Sequence, residues 1–144
     1  MTEDQRQPST AELVGVLQRA VALVRNHFAA TTTRLGVTPM QAKALGQLSE
    51  PLTLKELSSR LGADLSNTAT TIDRLESQGL VHKKIHPTDR RARVVTVTAA
   101  GENLRVKLDE QVFGSVPALA VLDERQQREL YALLERVVSQ QENL

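Results

Sequence analysis

The sequence predicts a mainly α-helical fold in which two short helices run directly into a two-stranded β-hairpin. Three observations predict it. Apolar residues recur at spacings of three and four from Thr10 to Gln78, the period of helices with one buried face. The period then changes: Val81–Ile85 and Val94–Thr98 are rich in β-branched residues and read as strands. Between them, Pro87-Thr-Asp-Arg-Arg-Ala92 is polar and basic, a charged hairpin tip. Two helices, a tight turn and a hairpin are the layout of a winged helix-turn-helix.

The elements follow in order. Ser9-Thr-Ala-Glu12, Thr38-Pro-Met-Gln41, Thr53-Leu-Lys-Glu56 and Asp123-Glu-Arg-Gln126 each read as a capping box, a short polar side chain followed three residues later by Glu or Gln. The first opens a long helix over Thr10–Arg34, whose apolar face includes Leu13, Val16, Leu17, Leu23, Val24 and Phe28. So long a helix in so small a chain predicts that part of its face packs on a partner. The second opens a helix over Pro39–Ser49 that buries Met40, Ala44, Leu45 and Leu48, with Pro39 at the first helical position, where its missing N–H costs nothing. Glu50-Pro51 ends it. The third opens a short helix striped by Leu54, Leu57 and Leu61 and stopped at Gly62. Asp64 caps the next helix, which runs to Gln78 with Leu65, Thr68 or Ala69, Ile72 and Leu75 inward, and Gly79 supplies a left-handed C-cap. After the hairpin, a helix spans Ala99–Phe113, Gly114-Ser-Val-Pro117 interrupts it, and a last helix follows Asp123 with Leu130, Leu133, Leu134, Val137 and Val138 inward.

Composition bounds the function. At 144 residues, 40% apolar and 24% charged, the chain is read as one domain over 1–144. Aromatics are 2%, so the core is aliphatic and there is no platform for stacking single-stranded bases. The absence of cysteine excludes disulfides, thiolate metal sites and thiol chemistry. No apolar run approaches a membrane span, and the polar, acid-bearing start MTEDQRQPST is unlike a signal peptide. The expected compartment is the cytoplasm, with no membrane partner. His82 and His86 are four residues apart, but on a strand that is about 13 Å, too far for one zinc ion ligated at about 2 Å. His27 reads as a core or pocket histidine. No phosphate loop, carboxylate pair or Ser-His-Asp set is present, so no enzyme, metal or cofactor is expected.

Charge distribution points to the partner. Val81–Arg93 carries five basic residues and one acid, and Ala99–Leu144 five basic residues and eight acids. The exposed face of the second short helix is expected to carry Ser66, Asn67, Thr70, Thr71 and Arg74, short hydrogen-bonding groups and one arginine, as a helix entering the major groove requires. The hairpin tip, Arg90-Arg91, suits the minor groove, where arginine meets enhanced negative potential. Asp89 is expected to hold the Arg91 guanidinium in a fixed fork, and Lys83, Lys84 and Arg93 to lie along the phosphates. The expected partner is double-stranded DNA. The competing reading is a winged-helix module that docks an acidic protein through the same hairpin.

The run LKELSSRLGADLSNTATTIDRLESQGLVHKKIHPTDRRARVVTVTAAG resembles the multiple antibiotic resistance regulator (MarR) family of winged helix-turn-helix transcriptional regulators. Asp73-Arg-Leu-Glu76 leading to Gly79-Leu-Val81, the wing pattern Asp89 to Ala92, and Val95-Thr-Val-Thr98 running into Gly101 carry the resemblance. It implies a DNA-binding lobe over 38–98, with the helices of 10–34 and 99–144 forming a two-fold homodimer. It further implies a regulator, usually a repressor, on a pseudo-palindromic operator, released by a small aromatic or anionic effector. Carried over by position, Ser66, Asn67, Thr70 and Arg74 face the major groove and Arg91 the minor groove. Thr70 departs from the family, many of whose members carry arginine there, so sequence preference is expected to rest more on Asn67 and Arg74. Members that sense oxidation use cysteines, which this chain lacks.

Overall fold

The computed structural model describes residues 6–142. Asn143 and Leu144, the end of the expected C-terminal segment, and Met1–Gln5, within the stretch read against a signal peptide, lie outside the described residues. The elements are α1 (Thr10–Arg34), α2 (Pro39–Gln47), β1 (Leu52–Thr53), α3 (Leu54–Leu61), α4 (Leu65–Ser77), β2 (Val81–Ile85), β3 (Arg93–Val97), α5 (Ala99–Leu108), a π-helical turn (Asp109–Phe113) and α6 (Glu124–Glu142). The described residues form two compact units, one of residues 28–114 and one of residues 6–27 with 115–142. No helix among the described residues is long and apolar enough to cross a membrane.

All four expected capping boxes form. The Ser9, Thr38, Thr53 and Asp123 side chains each accept the N–H of the residue three positions on, and Glu12, Gln41, Glu56 and Gln126 reach back to the cap N–H. Each box satisfies two of the N–H groups that a helix start leaves unpaired. Asp64 caps α4 by accepting from the Asn67 N–H at 2.7 Å, and Thr98 caps α5 through the Gly101 N–H at 3.0 Å. Gly62 and Gly79 take φ of 61° and 74°, the left-handed turns that end α3 and α4 without a Cβ penalty.

The core of the unit spanning 28–114 is aliphatic. Leu45 of α2, Leu57 of α3, Ile72 and Leu75 of α4, and Val95 of β3 are fully buried. The sheet has three antiparallel strands in the order β1-β3-β2, one more than the hairpin alone. Leu52 pairs with Val95 and Thr53 with Val94, while Val81 pairs with Val97 and Ile85 with Arg93. A two-residue strand carries too little pattern to be read from sequence. The helix expected over Ala99–Phe113 passes into a π-helical turn at Asp109, where the Gly114 N–H bonds back to the Asp109 carbonyl at 2.8 Å. The Phe28 and Phe113 rings pack against each other tilted by 52°, with centroids 5.8 Å apart.

The inward assignments of Met40, Leu65 and the α6 stripe are corrected. Met40 is exposed, because the packed face of α2 is that of Gln41, Ala44 and Leu45. Leu65 is 54% exposed, because the buried stripe of α4 begins one turn later and runs Thr68, Thr71, Ile72, Leu75. The same stripe buries Thr71, expected on the exposed face. In the other unit, the apolar faces of α1 and α6 are not core: Leu13, Val16, Leu17, Leu133, Leu134 and Val137 are all exposed. They line a groove of about 690 Å³ together with Ala20 and Leu130.

Gly101 is where α5 meets the sheet. A Cβ there would lie 2.0 Å from the Leu80 carbonyl oxygen and 2.6 Å from Val97 Cγ1, and that same carbonyl accepts the Thr98 N–H at 3.1 Å. Alanine would gain up to about 1 kcal/mol of helix propensity, but the overlap is with backbone and cannot be relieved by a rotamer. Gly101→Ala is therefore expected to destabilise the chain by about 1–3 kcal/mol, read as a lowered urea midpoint. An unchanged or raised midpoint would contradict this close approach.

Candidate nucleic-acid interface

The interface is built on α4 and on the hairpin of β2 and β3. On α4, Ser66, Asn67, Thr70 and Arg74 are exposed, and Thr71 is 9% exposed. Several of these side chains are engaged locally. Asn67 Nδ2 donates to the Asp64 carboxylate at 2.8 Å. The hydroxyls of Thr68, Thr70 and Thr71 donate to the carbonyls four residues earlier at 2.9, 3.0 and 2.9 Å. Threonine can satisfy its hydroxyl this way within a helix, so the face offers acceptor oxygens, the Asn67 amide and the Arg74 guanidinium. A groove-facing surface built of such groups is low in profile, and the backbone can approach base edges closely.

The hairpin presents its cations unequally. Lys84, Arg90, Arg91 and Arg93 are exposed. Arg93 Nη1 donates to the Arg90 carbonyl at 3.1 Å, which draws that side chain back along the tip. Lys83 is paired within the chain. Its Nζ pairs with the Asp73 carboxylate and lies 3.7 Å from Glu76 Oε1, while its backbone N–H donates to Glu76 Oε2 at 3.0 Å. Lys83 thus ties the hairpin to α4. The hydrogen bond to Asp73, and after it the nearby negative charge of Asp73 and Glu76, holds the Lys83 ammonium above the usual lysine range.

Asp89 also acts differently from expectation. Its Oδ1 accepts from the Arg91 backbone N–H at 3.0 Å and not from the guanidinium. Two residues apart in a tight turn, a carboxylate reaches the backbone amide more easily than the end of a long side chain. It therefore orients Arg91 by fixing its backbone. The contacts of Asp73 and Glu76 with Lys83 were missed. Asp73 and Glu76 sit within the quoted motif, but their partner lies across a turn on another element, which spacing rules for a single helix do not reach.

The Lys83 link has a pH signature. A group whose folded-state value is raised contributes stability that is fully present below its unfolded value, about 10.4 for lysine, and is lost as pH rises through the folded value. Lys83→Met is expected to cost about 0.5–1 kcal/mol at neutral pH, measured by urea unfolding. The gap to the parent protein should close as the series is taken above about pH 10.4. A gap that persists at high pH, or that is absent at neutral pH, would contradict the ion pair.

Residues 38–92 match the model of the MarR family. An uncharacterized HTH-type transcriptional regulator of Bacillus subtilis (strain 168), YfiV, is 39% identical over 67 residues, covering 45% of this chain. The match spans 42% of that relative's length. Among solved structures, a mutant MarR from E. coli complexed with operator DNA superposes with a TM-score of 0.70 at 23% identity, over 90% of this chain and 99% of that one. BpsR of Bordetella bronchiseptica, solved in work on regulation of its DNA binding by 6-hydroxynicotinic acid, does so with a TM-score of 0.70 at 23% identity, over 88% and 98%. In the sequence pattern of residues 38–92 and in its winged helix-turn-helix fold, the chain resembles the MarR family of transcriptional regulators.

Proposed function

We propose that this protein is a sequence-specific, duplex-DNA-binding transcriptional regulator, a homodimer that acts as a ligand-responsive repressor on a pseudo-palindromic operator. The observation that carries the reading is the exposed polar face of α4 beside a hairpin whose tip offers Arg90 and Arg91. In this reading Ser66, Asn67, Thr70 and Arg74 address the major groove, and Arg91 the minor groove. Arg90 accompanies Arg91 at the minor groove, and Lys84 and Arg93 lie along phosphates. Lys83, Asp89 and Thr71 serve by holding the others in place. The reading assigns no catalytic residue and no cofactor, and its compartment is the cytoplasm.

The homodimer is supported by the exposed apolar faces of α1 and α6. Burying apolar surface is worth about 25 cal/mol per Å², and a contiguous apolar groove left open to water marks an association surface. A two-fold dimer places its two α4 helices in successive major grooves, about 34–36 Å apart. The effector is a small aromatic or anionic molecule, by likeness to BpsR, whose DNA binding is regulated by 6-hydroxynicotinic acid.

Arg91→Ala is expected to weaken binding to a duplex selected on the parent protein from a randomised library by about 1–3 kcal/mol in a gel-shift series, with the dimer intact by sedimentation. Binding should also fall steeply with salt, because each neutralised phosphate releases counterions. Unchanged affinity in the variant, or a flat salt dependence, would overturn the DNA reading.

A further inference from the structure

The hairpin loop of residues 86–92 is organised by side chains. The His86 N–H donates to the Ala92 carbonyl at 3.1 Å, and the Ala92 N–H to the Asp89 carbonyl at 3.1 Å. Inside that frame, His86 Nδ1 accepts from the Thr88 N–H at 3.2 Å and from the Asp89 N–H at 3.1 Å, with the Thr88 hydroxyl 3.3 Å away. Asp89 Oδ1 in turn accepts the Arg91 N–H. Two side chains thus bind three donors of a loop that otherwise belongs to solvent. The half-buried ring stands in a cleft between the hairpin and the first turns of α3 and α4, beside Thr53, Leu54 and Leu65.

We propose that His86 is a positioning residue of the DNA interface. Its imidazole Nδ1 is the acceptor that fixes the turn from which Arg90 and Arg91 project. This rests on the DNA reading above. Fixing a loop residue costs backbone entropy, and an arginine on a free loop meets that cost at the moment of binding. The path from His86 Nδ1 to the Asp89 amide, and from the Asp89 carboxylate to the Arg91 amide, meets it in the folded protein. The chemistry is that of an asparagine or aspartate at a turn, whose side-chain oxygen takes the amides two and three residues on. A ring nitrogen does the same only as an acceptor, so in the neutral ring the proton sits on Nε2.

His86→Ala and His86→Asn test this in the full-length chain against a duplex selected on the parent protein from a randomised library. His86→Ala is expected to weaken that duplex about tenfold, the loss of the order of one to two hydrogen bonds, and to speed amide exchange at Thr88 and Asp89. Because the loop lies outside the core, the thermal midpoint should hold. His86→Asn, which retains an acceptor at the same reach, should restore both affinity and amide protection. Long-range ¹H–¹⁵N spectra of the parent protein at alkaline pH should show the Nε2–H tautomer. Unchanged exchange at Thr88 and Asp89 in His86→Ala, no rescue by asparagine, or an Nδ1–H tautomer would each overturn the proposal. If the parent protein selects no duplex, the DNA reading fails, while exchange and tautomer still decide whether His86 holds the turn.

Discussion

The interface depends on one tie between α4 and the edge of the sheet. β2 is an edge strand, so its outward N–H groups have no strand partner. Glu76 takes the N–H of Lys83, and the Lys83 ammonium is held by Asp73 and Glu76 together. This does two things at once. It closes part of an edge that would otherwise invite pairing with another chain, and it fixes the hairpin to the helix that also carries Ser66, Asn67 and Thr70. The aliphatic core, with Ile72 and Leu75 of α4 beside Val81 and Val95 of the sheet, already holds helix and hairpin together. Lys83 adds a second tie at the solvent-exposed edge, between the exposed face of α4 and the hairpin. The gain in free energy is small, since the acids are exposed and solvent screens the pair. Its importance is geometric.

The legible parts of the fold were those set by local chemistry. Capping boxes, the Asp64 cap and the glycines at 62 and 79 depend on residues within four positions of each other, and all appear as expected. The bounds of α1 were readable because Ser9 and Glu12 mark its start and the helical pattern continues to Arg34. What was illegible depends on contacts between elements. The two-residue β1 exists because β3 offers it a ladder. Leu65 and Met40 carry the right period but lie where no neighbouring element covers them. Thr71 carries a polar side chain yet is buried, because its hydroxyl is satisfied by the Asn67 carbonyl and its methyl can join the Ile72 stripe.

The same distinction governs the candidate site. Residue type and the change of period were enough to expect Ser66, Asn67, Thr70, Arg74, Arg90 and Arg91 at the surface. The division of labour among the charged residues was not. Lys83 was expected along the phosphates and Asp89 on the Arg91 guanidinium; within the chain Lys83 pairs with Asp73 and Glu76, and Asp89 accepts the Arg91 backbone N–H. His86 was weighed only as a metal ligand, because sequence spacing does not reveal that its ring nitrogen meets amides two and three residues on. The apolar faces of α1 and α6 repeat the lesson in reverse. Their pattern is that of a core, and in the single chain it lies open, because period reports which side of a helix is apolar and not what covers it.

The chain contains no cysteine, so one introduced thiol labels one position. An iron chelate tethered through Ser66→Cys or Arg90→Cys would report directly where α4 and the hairpin tip lie on a selected duplex. The account predicts cleavage from position 66 centred on a major groove, and cleavage from position 90 confined to the adjoining minor groove, both repeated with two-fold symmetry. Cleavage scattered along the duplex, or cuts from both positions in the same groove, would contradict it.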